Sequence, residues 1–99
     1  MVYDLKSIYD SAKSFYGKAQ VIETENENVV DYQLKSYNTI VARITIIGDT
    51  YNCYVFDYEV EGKTSTQTTK RHQKEFFRQN GLTDDEIKEL FKNKKLVKE

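Results

Sequence analysis

A chain of 99 residues, 31% of them charged, allows one domain over residues 1–99 with a real but not a large core. Its net charge of -1 argues against a general nucleic-acid coat protein and equally against a strongly acidic DNA mimic. No apolar run approaches the roughly 18 residues of a membrane span and no secretory pattern opens the chain, so a cytosolic protein is expected.

In chain order, Val2, Leu5, Ile8, Tyr9, Ala12 and Phe15 recur at three- and four-residue spacing, which predicts an amphipathic N-terminal helix over residues 2–15. Tyr16–Gly17 would break it. "FYGKAQVIE" predicts a first strand and "ENEN" a turn. "VVDYQLKSY" alternates Val30, Tyr32 and Leu34 against Asp31, Gln33 and Lys35, a half-buried strand. After a turn or bulge at Asn38, "TIVARITII" sets Ile40, Ala42, Ile44 and Ile46 on one face, and "GDT" closes a hairpin. In "YNCYVFDYEV", Cys53 and Val55 share one face; Tyr54, Phe56 and Tyr58 share the other. That second face, with Val41 and Ile47, is too aromatic for a plainly solvated surface. Either the N-terminal helix or a curling sheet covers it, or it binds a base or a partner protein. Cys53 is the only cysteine, so no internal disulfide forms, and a buried inert thiol is expected.

"EGKTS" reads as loop, with Ser65 or Thr66 as a helix N-cap. In the helix that follows, Gln67, Lys70, Arg71, Lys74 and Arg78 fall within one third of the circumference. Thr69, His72, Phe76 and Asn80 face the other way, so His72 points inward. Gly81 suits a left-handed position after the helix. Thr83 with Glu86 forms a capping box for a second helix with an Ile87, Leu90, Phe91 stripe, and "KNKKLVKE" is expected to fray. The predicted fold is thus α+β: an N-terminal helix, a four-stranded antiparallel β-meander and two C-terminal helices.

Charge is lopsided. Glu23–Asp31 holds four acids and no base, as does Asp49–Glu61, whereas Lys63–Leu82 holds five bases and one acid, Glu75. No catalytic residue is assigned: His72 has no serine-hydrolase elbow, second histidine or metal-ligand companion, and a structural role is expected for it. No metal set, calcium loop or glycine-rich phosphate loop is present, so no cofactor is expected. A helix-turn-helix reader is disfavoured because Asp84–Asp85–Glu86 would place acids at the groove-entering end. The basic stripe Lys70, Arg71, Lys74, Arg78 is either a solvated face or a contact surface for nucleic acid or an acidic protein patch.

"KSFYGKA" (Lys13–Ala19), "SYNTIVARI" (Ser36–Ile44) and "STQTTKRHQKEFFRQNG" (Ser65–Gly81) resemble a family of small proteins from phages and mobile elements of Firmicutes. That family carries "KSFYGKA", "YSYNT-VA-I" and "SATT-RH-KEFL-QNG". The chain departs from it at Thr66–Gln67 and Phe77, in the longer "ITIIGDTYNCYVFDYEVEGKTS", and in the capped helix after Gly81. The resemblance implies a phage or prophage accessory protein that acts by binding, in the cytoplasm of a bacterial host cell. The expected partner is a host defence protein or protein–nucleic acid complex, with anti-CRISPR inhibition of a Cas effector the leading case. The alternative is a nucleic-acid-binding accessory protein using the basic helix 67–80. The expected contact residues are Lys70, Arg71, Lys74, Arg78, Tyr54, Phe56 and Tyr58.

Overall fold

The computed structural model describes residues 1–56 and 67–99. Among these, six strands form one antiparallel sheet in chain order: β1 (Val2–Asp4), β2 (Ala19–Asn26), β3 (Val29–Ser36), β4 (Thr39–Ile47), β5 (Thr50–Val55) and β6 (Lys95–Lys98). Helices α1 (Gln67–Gln79) and α2 (Asp84–Asn93) lie between β5 and β6 in the chain. The readings at Tyr58, Ser65 and Thr66, and the "EGKTS" loop, fall outside the described residues.

The central strands follow their alternation. Ile44 stands opposite Tyr32 and Cys53, and Ala42 opposite Leu34 and Val55; of these, all but Tyr32 are buried. On the reverse face of β5, Tyr54 is exposed, as is Phe56 just beyond the strand. One detail departs from the period of two. Pairing jumps from Leu34↔Ala42 to Lys35↔Ile40, so Val41 is the extra residue of a β-bulge. Val41 is therefore buried rather than part of the aromatic face, whereas Ile47 is exposed there.

Phe76 and Phe77 of α1 and Leu90 of α2 close the core over Leu34, Ala42 and Ile44. Each fully buried Phe or Leu contributes about 2 kcal/mol. The helix junction is a Schellman motif: Leu82 N–H donates to Phe77 O at 3.1 Å and Gly81 N–H to Arg78 O at 3.0 Å. Gly81 takes φ +89°, and buried Leu82 packs in the same core as Phe77. Thr83 and Glu86 form both halves of the capping box.

Two expectations are overturned, and the sheet is larger than four strands for that reason. No N-terminal helix forms. Val2–Asp4 pairs with Gln20–Ile22 instead, and residues 8–13 run as bends. Leu5 and Phe15 are buried, but Ile8 and Tyr9 are 65% and 60% exposed, so the helical stripe is split. At the other end, "KLVK" does not fray. Lys94 turns the chain at φ +65°, and β6 pairs with β5. Lys98 Nζ then donates to Glu86 Oε1 and to Gly81 O, both at 3.0 Å.

Candidate functional site

The missing helix is explained by one buried acid on α1. Glu75 is 1% exposed. Its Oε1 accepts the backbone N–H groups of Ile8, Tyr9 and Asp10 at 3.2, 2.8 and 2.8 Å. In a helix those donors would serve the carbonyls four residues earlier. Gln79 Nε2 donates to Glu75 Oε2 at 2.7 Å and to Lys6 O at 2.6 Å. Ser7 Oγ donates to Ala12 O at 2.7 Å, and Ala12 N–H donates to Asp10 Oδ1 at 2.8 Å. Arg71 completes the attachment by gripping the Asp10 carboxylate through Nε (3.1 Å to Oδ2) and Nη2. That hydrogen bond is the first reason the Asp10 carboxyl is held below the usual carboxylate range.

Held this way, residues 12–18 meet the β3–β4 turn and the start of α1 around a cavity of about 250 Å³. Phe15 and His72 form part of its wall; Ser14, Tyr16, Lys18, Tyr37, Thr68 and Arg71 supply most of the rest. The three stretches that carry the resemblance thus converge on one place. His72 Nδ1 and Ser36 Oγ share a 2.8 Å hydrogen bond, and Phe15 meets the imidazole edge-on at 4.7 Å between ring centres. Burial lowers the His72 pKa, outweighing the pull of Asp10, so the ring is neutral at pH 7. A Ser–His hydrogen bond has the outline of a nucleophile and its base. Here Ser36 is 2% exposed and His72 1%, so the pair ties β3 to α1, with His72 in the inward position expected of it. It bonds a strand side chain, not backbone.

The rim is unusual in its backbone. Tyr16 and Tyr37 take φ +53° and +57°, a left-handed conformation costing a non-glycine residue about 1 kcal/mol or more. The two residues are 75% and 50% exposed, so burial offsets little of that cost at Tyr16 and only part of it at Tyr37, whose ring lies 6.1 Å from that of His72. Lys18 Nζ lies 5.7 Å from the Tyr37 ring centre, and Tyr37 N–H donates to Lys18 O at 2.7 Å.

The contact residues expected from sequence do not form one surface. Lys70 and Lys74 are exposed and make no ion pair among the described residues. Arg71 is engaged with Asp10, and Arg78 pairs with Asp84 at 2.9 Å. Tyr54 and Phe56 lie on the sheet face turned away from the helices, lining a shallow cavity of about 470 Å³ with Arg43, Thr45, Ile47 and Asn52. Tyr58 is outside the described residues. Cys53 is buried, its thiol pushed up to about 11 mainly by burial, as an inert thiol requires. Among the described residues no group of three or more potential ligands is placed to hold a metal ion, and no helix is long and apolar enough to cross a membrane.

Sequence reasoning missed Tyr16, Lys18 and Tyr37 at the cavity. The available signal was the turn at Tyr16–Gly17 and the two-residue turn in "SYNT", where a bulky residue occupies a position suited to Gly or Asn.

Residues 3–93 match the model of DUF8033, a family of unknown function. The chain belongs to that family. The match spans all of α2, so the capped helix after Gly81 is part of it. No curated protein and no solved structure matches the chain.

Proposed function

We propose that this DUF8033 member is a phage or prophage accessory protein that works by binding, without catalysis, in the host cytoplasm. Its target is a host defence nuclease complex, which it blocks in the manner of an anti-CRISPR protein acting on a Cas effector. The observation that carries the binding reading is the outer sheet face. An antiparallel sheet can leave one face to water, but that face is then normally polar. Here Ile47, Tyr54 and Val97 of β4, β5 and β6, and Phe56 just beyond β5, stay 52%, 37%, 60% and 38% exposed. Arg43 stands directly opposite Tyr54. Aromatic residues with arginine are the side chains enriched at protein interfaces. The phage setting and the choice of a defence complex rest on the resemblance of the three sequence blocks.

The test is DNA cleavage by purified Cas effectors, titrated with the wild-type protein and with Tyr54→Glu/Phe56→Glu. The reading expects one effector to be inhibited by the wild type. It expects at least tenfold weaker inhibition by the double variant, at an unchanged melting temperature. No inhibition of any effector sinks the defence reading; equal inhibition by the variant moves the interface elsewhere. The nucleic-acid alternative is favoured by Lys70 and Lys74, exposed one helical turn apart on α1. It requires binding to free DNA or RNA whose salt dependence flattens in Lys70→Glu/Lys74→Glu.

A further inference from the structure

We propose that the cavity between Tyr16, Tyr37 and His72 is a binding site for one nucleotide unit, its base stacked on a tyrosine ring and its phosphate on Lys18. This site lies apart from the outer sheet face and does not depend on the role assigned to that face.

Three observations lead to it. The first is the pair of tyrosines. Both are held in the left-handed region, where Asn or Gly would be at ease, and both present their rings to solvent. The Tyr37 ring leans on His72 at 6.1 Å between ring centres but keeps half its surface open, and Tyr16 is more exposed still, so both leave a ring free to touch a ligand. A half-exposed phenol ring is a stacking platform that accepts any base. The second is charge. Arg71 is fixed on Asp10, but Lys18 makes no ion pair among the described residues and stands beside the Tyr37 ring. A cation next to a stacking ring suits a planar group that carries an anion. The third is size and lining. At about 250 Å³ the cavity is smaller than the sites that enclose drug-sized ligands; it has room for the base alone, with sugar and phosphate left at the rim beside Lys18. The hydroxyls of Ser14 and Thr68 line it, groups able to meet a base by hydrogen bonds, with buried His72 behind them as wall.

The experiment is an amide NMR titration of the full chain with adenosine 5′-monophosphate, adenosine, inorganic phosphate, a ten-residue oligo(U) and a phosphotyrosine peptide. The proposal expects saturable shifts at Tyr16, Lys18, Tyr37 and His72 with the monophosphate or the oligonucleotide. Saturation by the monophosphate identifies a free nucleotide as the source; saturation only by oligo(U) identifies a single strand. Tyr16→Asn should melt at the same temperature or higher, because the turn relaxes, and in Tyr37→Asn the relaxed turn offsets the lost His72 contact; each should lose at least tenfold in affinity. Lys18→Gln should bind nucleotide no better than nucleoside. The proposal is overturned by shifts that never saturate, by inorganic phosphate binding as well as the nucleotide, by preference for the phosphotyrosine peptide, or by full affinity in Tyr37→Asn.

Discussion

Two segments close the core on opposite principles. The α1–α2 pair carries its own hydrogen bonds: a helical ladder, a Schellman turn at Gly81 and a capping box at Thr83–Glu86. Residues 5–18 have no such ladder. Their amides at Ile8, Tyr9 and Asp10 go to Glu75, Lys6 O goes to Gln79, and Asp10 goes to Arg71. The first unit is ordered by near neighbours in sequence. The second is ordered by a helix more than sixty residues away, and the cavity at His72 exists only when that attachment is made.

The sharpest way to break this contrast is Glu75→Ala. It strands three backbone donors and the Gln79 amide. The expected loss is about 3 kcal/mol in urea unfolding, held to that because the released segment can open and rehydrate. Glu75→Gln keeps the shape with one acceptor oxygen fewer, and should lose about half as much. If both variants are as stable as wild type, Glu75 does not hold the segment.

On the helical side, Gly81→Val should cost about 1–2 kcal/mol by thermal melting. A Cβ at Gly81 meets nothing within 4 Å, so the whole cost is the φ of +89°. An unchanged melting temperature removes the left-handed cap from the account.

Acid should loosen the two regions in stages. His72 is held neutral by burial, with Asp10, Arg71 and Lys18 around it. Because its folded pKa lies below the ordinary 6.5, the unfolded chain takes the proton first. Stability is therefore full above that value and declines as pH falls through it, by less than about 1.4 kcal/mol per pH unit, the limit for one proton. His72→Gln should flatten this stage. Asp10 and Glu86 have depressed carboxyls, held down chiefly by Arg71 and by the Thr83 backbone N–H. Their stabilisation is present above the carboxylate range and lost on acidification through it. Melting curves from pH 8 to pH 3 should show both stages; a flat profile between pH 7.5 and 5.5 would contradict the assignment of His72.

The smallest effect is expected on the exposed side of α1. Lys70→Glu/Lys74→Glu should change stability by less than about 0.5 kcal/mol, since exposed charges with no ion pair among the described residues contribute little to folding. A larger loss would mean these lysines support the fold.

What was legible in the sequence divides along the same line. The turn at Gly81, the cap at Thr83, the inward His72 and the alternation of the central strands are local signals, and local chemistry decides those elements. The N-terminal spacing of Leu5, Ile8, Ala12 and Phe15 is also a local signal, yet Glu75 offers the same amides a better acceptor and half the stripe turns outward. Glu75 carried no sequence mark as a buried residue, because it reads as the lone acid in a basic stretch. β6 was hidden in the same way: "KLVK" is too charged to look like a strand until Glu86 and the edge of β5 are beside it. The cavity shares this origin. Its lining comes from three distant stretches, and only the tertiary attachment of residues 5–18 brings Tyr16 and Lys18 to Tyr37 and His72.

That attachment is read most directly by amide hydrogen exchange at Ile8, Tyr9 and Asp10, followed by NMR in wild type and in Glu75→Ala. The account predicts that all three amides are protected in the wild type and exchange freely in the variant, while the amides of α1, α2 and β3 stay protected. Helical carbon shifts over residues 5–15, or equal protection of the three amides in both proteins, would contradict it.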